Sequence, residues 1–136
     1  MRATLVNQQI GAAATIAAVP GGPLQLVDAP TSICVQANLT YGSGGTTIDA
    51  YLQTSVDGGT TWIDIAQFHF TTASARFVYN LNSQTPVTTE YTPTDGTLAA
   101  NTSKDGIVGP LYQVKLASVG TYAGTTLRID VSAQEP

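Results

Sequence analysis

Charge is scarce in this 136-residue chain: five Lys and Arg against nine Asp and Glu make up 10% of residues and leave a formal net charge of −4. Soluble chains usually carry about 25% charged residues. Five scattered cations cannot neutralise a run of phosphates, so sequence-independent nucleic-acid binding is excluded. A single cysteine, Cys34, can build neither an internal disulfide framework nor a multi-thiolate metal site. It lies in the alternating run Ile33-Cys34-Val35-Gln36-Ala37-Asn38-Leu39 and reads as a small strand residue. No window approaches ~18 consecutive apolar residues, so no membrane span is read. The opening Met1-Arg2-Ala3-Thr4-Leu5-Val6 is interrupted by Asn7-Gln8-Gln9 and followed by a weak, Ala-rich stretch from Gly11 to Val19. That pattern does not read as an export leader, and synthesis in a cytoplasm is expected. No P-loop, dinucleotide fingerprint or zinc spacing occurs, and no cofactor or metal is expected.

Apolar residues, at 43%, nevertheless suffice for a packed core, which argues against disorder. The length suits one domain burying about two-thirds of its unfolded surface. Thr (21), Ala (17) and Gly (13) dominate, and the Glu, Lys and Leu mixture of surface helices is missing. A folded surface with so little charge is unusual for a free monomer, because charge keeps surfaces from associating. It points to burial against other protein.

Thr, Val, Ile, Tyr and Phe recur with period two, the strand signal. The cleanest strands are Ile33 to Thr40, Thr46 to Ser55, Thr61 to Phe70, Arg76 to Leu81, Leu111 to Ser118 and Thr125 to Ser132. In the last, Leu127, Ile129 and Val131 alternate with Arg128 and Asp130, as expected of an antiparallel sheet with one wet face. Turn signals at Gly42-Ser43-Gly44-Gly45, Asp57-Gly58-Gly59, Asp95-Gly96, Asp105-Gly106 and Gly120 separate the strands. Together they predict an all-β, antiparallel β-sandwich or jelly-roll-like single domain. The sandwich is expected over residues 24–136, with a long excursion at about 82–110 that carries one short strand at Val87 to Tyr91. Residues 1–23 read as an extended N-terminal arm and linker ending in Pro20-Gly21-Gly22-Pro23, or alternatively as a first strand of the same sheet. Between Trp62 and Phe70 the alternation slips. Either a β-bulge lies near Ala66, or both faces are covered, as at a subunit contact.

One motif is sharp. Ser55-Val56-Asp57-Gly58-Gly59-Thr60-Thr61-Trp62 fits the pattern S-x-D-x-G-x-T-W, in which Asp57 accepts turn N–H groups and Gly59 permits a tight hairpin. Trp62 then folds over the start of the next strand. The motif resembles the Asp-boxes of sialidase-like β-propellers. Propellers repeat the box in several blades, whereas it occurs once here, in a chain too short for four blades. Only Arg2, Arg76 and Arg128 could supply an arginine cluster. Ser55, Asp57, Gly59, Thr61 and Trp62 are therefore read as a structural brace.

The other constellations carry little chemistry. His69 has no evident partner, and Asp64, five residues upstream, falls on the opposite parity. Carboxylate pairs for glycoside hydrolysis would have to come from turn and polar-face residues such as Asp28, Asp49 and Glu90. Asp95 and Asp105 could form a turn calcium site. No catalytic residue is assigned. Tyr41, Tyr51, Tyr91 and Tyr122 are candidate sugar platforms if exposed, and core tyrosines if not.

The stretch Ile48 to Phe68, with the later runs Gly109 to Leu116 and Thr126 to Val131, resembles small virion proteins of tailed bacteriophages. The likeness spans most of residues 24–133 and implies a structural role in the virion. The expectation is a capsid decoration (cement) or minor capsid protein on the capsid exterior. Its partners would be the major capsid protein and copies of itself in a trimer, with neither nucleic acid nor membrane as a partner. A neck or tail component and a carbohydrate-binding, host-attachment module are the alternatives. The elements expected to make contact are Thr4 to Ala18 and Val87 to Gly106.

Overall fold

A computed structural model describes residues 1–20, 22–26 and 28–135. Eleven strands occur in it and no helix: β1 (Arg2–Ile10), β2 (Ala14–Ala18), β3 (Leu24–Gln25), β4 (Ser32–Thr40), β5 (Ser43–Gly44), β6 (Thr47–Ser55), β7 (Ile63–Phe70), β8 (Ala75–Asn82), β9 (Leu111–Val119), β10 (Tyr122–Ala123) and β11 (Thr125–Gln134). Sheet A has the order β1-β11-β4-β8, and sheet B the order β2-β9-β6-β7, with β3 continuing along β9 where β2 ends. All pairings are antiparallel. The chain starts in A, crosses to B, returns for β4, lays β6 and β7 in B, and then alternates β8, β9 and β11 between the sheets. That wiring is a jelly roll.

Alternation builds the core. Ile33, Val35, Ala37 and Leu39 of β4 and Leu127, Ile129 and Val131 of β11 point inward from sheet A. They meet Ile48, Ala50, Leu52, Phe68 and Phe70 of sheet B. Burying one such side chain stabilises the fold by about 1.5–3 kcal/mol, so the two inner faces carry most of the driving force.

The first residues correct the expectation of a free arm. Residues 2–10 pair with β11 from Arg2 opposite Ser132 to Ile10 opposite Thr125, and β2 pairs with β9. Val6 and Ile10 are buried, so the segment completes the core as edge strands of both sheets. Weak local hydropathy concealed this, because only two of its side chains are needed inside. In the expected Pro20-Gly21-Gly22-Pro23 linker, Gly21 lies outside the described residues. The short strand expected at Val87 to Tyr91 is not formed either: those residues are irregular.

One end of the sandwich is closed by short turns. Tyr122 is buried there, its N–H donating to Gly11 O (2.9 Å) and its hydroxyl to Thr71 O (2.8 Å). Its ring meets that of Tyr41 edge-on at 6.1 Å. One residue, through its main chain and side chain together, thus ties three turns. The opposite end carries the Asp57 hairpin and the excursion, residues 83–110.

Candidate functional surface

The Asp57 hairpin forms as its residues dictate. Asp57 Oδ1 accepts from Thr61 N (2.9 Å) and Ser55 Oγ (2.9 Å), and Oδ2 accepts from the Thr61 hydroxyl (2.5 Å). Those donors, the Thr61 hydroxyl foremost, pull the Asp57 carboxyl down to about 2. Gly59, at φ 93°, donates its N–H to Ser55 Oγ (2.9 Å), a backbone angle that L side chains avoid. Trp62 is half-buried beside Gly59 and Leu111. The Ser55, Asp57 and Thr61 side chains all bond within the turn and brace it.

The irregularity between Trp62 and Phe70 has both of its expected causes. Leu52 pairs with Ala66 but Gln53 with Asp64, so Ile65 is the extra residue of a bulge. The bulge resets parity and places Asp64 on the same outer face as His69. That face is also covered, by the chain's own excursion instead of a subunit. Asp64 is fully buried, and its carboxylate accepts from Gln53 Nε2 (2.8 Å), Thr94 Oγ1 (2.9 Å), Gly96 N (2.7 Å), Thr97 N (3.0 Å) and Leu98 N (3.2 Å). Three successive N–H groups form a nest that replaces the lost water. Gly96 makes the close approach possible: it has φ 86°, and a Cβ there would lie 2.5 Å from Ile16 Cδ1.

Further along, Gln53 Nε2 also donates to Asp95 Oδ1 (2.6 Å), which takes the Lys115 ammonium at 2.6 Å. Partial burial opposes ionisation of Asp95, but the Lys115 and Gln53 donors outweigh it and hold its carboxyl below the usual range. Excursion backbone then caps the β7 edge, through Gln67 N to Thr102 O (2.9 Å) and Lys104 N to Ile65 O (2.8 Å).

His69 does have a partner. Its Nδ1 lies 2.6 Å from Asp49 Oδ1, which also accepts from Gln67 Nε2 (2.8 Å). Asn101 N donates to Gln67 Oε1 (2.7 Å), and Asn101 Oδ1 accepts from His69 N (3.1 Å). This ring locks the excursion to β6 and β7. Among the described residues the imidazole makes no hydrogen bond to a hydroxyl or thiol, and Cys34 is exposed on sheet A. Counting back from the Asp57 turn puts Asp49 opposite His69, so the pair was within reach of hairpin arithmetic once the bulge was included.

The remaining candidates separate. Asp95 is engaged by Lys115, whereas Asp105 accepts from Asn82 N (2.6 Å), Gly106 N and Thr85 Oγ1. Among the described residues no three His, Cys, Asp or Glu side chains gather where they could hold a metal. Tyr122 is buried, the Tyr41 hydroxyl donates to Gly44 O, and Lys104 sits 4.7 Å above the Tyr91 ring. Only Tyr122 of these three is buried; Tyr41 and Tyr91 are half-buried. Tyr51 is half-buried on the outer face of sheet B, opposite Lys115 in β9.

A different feature stands out on the other flank. β1 and β2 are the outermost strands of their sheets, and no further strand pairs with them among the described residues, although Pro20 and Pro23 lie across a cleft from Ala3 to Leu5. All five residues of β2 are exposed, Ile16 among them. No Asp, Glu, Lys or Arg occurs between Ala3 and Leu26. The turn at 11–13 that joins them carries none either, nor do 41–46, 71–74 and 120–124 across the same end of the sandwich. Free monomers protect such edges with charge, proline or a covering segment. Both strands do contain bulges, between Thr4 and Val6 and between Ala14 and Ala17.

Comparison with known proteins finds no matching family model, no matching curated protein and no matching solved structure. Among the described residues no helix is long and apolar enough to cross a membrane.

Proposed function

We propose that the chain is a non-enzymatic structural protein of a tailed-phage virion, a capsid decoration or minor capsid protein that stabilises the head shell through protein–protein contacts. The observation carrying this reading is the bare flank: two sheet edges with no further strand paired to them and no charged residue from Ala3 to Leu26, on a chain of net charge −4. A neighbour that lays a strand along β1 or β2 satisfies their outward N–H and C=O groups. It meets no charge that must be stripped of water. Binding to the assembled shell then favours the folded, bound state by mass action. The partners in this reading are the major capsid protein and copies of the chain itself, on the capsid exterior. The excursion serves internally, as a cover for sheet B, and the contact function falls to residues 3–18.

The test adds purified protein to capsids that lack it and follows thermal rupture. Saturable binding with a higher rupture temperature is expected. Capsids that rupture at the same temperature with and without the protein would overturn the reading. Copy number per particle separates shell from neck: hundreds support decoration, about a dozen a ring.

A further inference from the structure

The outer face of sheet A differs from every other surface of the molecule. Strand register places Arg2, Arg128 and Arg76 on it, with Asp130 as the one acid. Three arginines against one aspartate leave a balance of +2. Asp130 is moreover occupied: burial disfavours its ionised form, but the Thr4 hydroxyl (2.6 Å) and Arg128 Nε (2.9 Å) outweigh this and lower its pKa. The rest of the face is amide, hydroxyl and small side chains, with Val78 exposed among them opposite Gln36. Cys34 is exposed among them, opposite Asn80 and Ser132.

The end of the sandwich that carries the excursion has the opposite sign. Asp28, Asp57, Glu90 and Asp105 are exposed there, against Lys104, while Glu135 and the Met1 ammonium share the corner between this end and sheet A. Four acids against one cation give −3. A single chain therefore presents a basic plate and an acidic end roughly at right angles.

We propose that the outer face of sheet A docks on the acidic, excursion-bearing end of a second copy of this chain, in a head-to-tail contact. Complementary potentials favour that pairing, whereas plate-to-plate or end-to-end contact sets like charges together. A heterologous contact of this kind closes into a ring or continues as a filament. Four strands about 4.8 Å apart and some 27 Å long give a footprint of roughly 500 Å² per copy. The total of about 1,000 Å² lies at the lower limit of specific interfaces, so the contact is weak alone and is strengthened where copies are held side by side. This contact is separate from the bare β1/β2 flank and does not rest on the virion reading.

Sedimentation velocity on the isolated chain at low ionic strength tests it. Concentration-dependent association is expected, with roughly tenfold weakening between about 50 and 500 mM salt. Labelling of the native Cys34 thiol should slow several-fold as association proceeds. Arg2→Glu with Arg76→Glu reverses the plate and leaves the Arg128–Asp130 pair intact. Asp28→Lys with Glu90→Lys reverses the end and leaves the plate untouched. Each variant, checked as folded by circular dichroism, should lose self-association at least tenfold, and an equimolar mixture of the two should recover it. A wild type that stays monomeric throughout overturns the proposal. So do plate-reversed copies that associate like wild type, or a mixture that recovers nothing.

Discussion

The two long flanks of the sandwich end in opposite ways. On one, β7 offers an open edge and residues 102–104 of the same chain close it, held down by the Asp64 nest and the His69–Asp49–Gln67–Asn101 ring. On the other, β1 and β2 end without a further paired strand, and past Arg2 they carry no charge. Both flanks belong to one small core and face the same solvent. The difference shows that an edge can be satisfied from within the chain, at the expense of ordering a long segment, or left for a neighbour. The covered flank is satisfied by contacts within the chain. The bare flank leaves its outward backbone groups without a further paired strand.

Removing the nest's anion should break the comparison most strongly. Asp64→Ala leaves the Gly96, Thr97 and Leu98 N–H groups without an acceptor, and loss of about 3 kcal/mol is expected in urea denaturation. The excursion should peel away, so that both flanks become bare. Hydrogen exchange sharpens the contrast in the native protein. The Gln67 and Lys104 amides, bonded across the cap, should exchange far more slowly than the outward amides of β2. Asp64→Ala should bring the two sets together while the β4–β11 ladder stays protected. Equal rates in the unaltered protein would remove the distinction between the flanks.

Acid gives a smaller, local effect. Asp57 is ionised in the folded hairpin down to about pH 2, below its ordinary value near 3.8. A depressed carboxyl contributes stability that is present above the unfolded pKa and lost as pH falls through the folded one. The hairpin should therefore loosen between about pH 4 and pH 2, seen as a change in Trp62 fluorescence, and Asp57→Asn should remove that step. The smallest change in stability belongs to the bare flank. Ala18→Glu, placed opposite Lys115 on exposed β2, should alter unfolding free energy by no more than about 0.5 kcal/mol. Attachment to capsids should nevertheless weaken at least tenfold. Unchanged attachment would move the contact away from this edge.

Much of the fold was legible in the residues. Six strands follow from period-two alternation to within a residue or two, because a strand's pleat is a local property written into each window of sequence. The Asp57 brace was legible for the same reason: its hydrogen bonds join residues at most four apart. β1 and β2 were less so, since an edge strand buries few side chains and leaves a faint pattern.

The sequence by itself thus determined an all-β sandwich, its principal strands, its hairpin and its shortage of charge. Tertiary structure alone decided which face is covered and which edge is open. Asp64 meets Gly96 across 32 positions, and the N-terminus meets Ala133 across 132. No window of sequence contains both partners of such a contact. A bulge of one residue at Ile65 also inverts every face assignment before it in β7, which is why Asp64 and His69 share a surface that simple alternation would deny them.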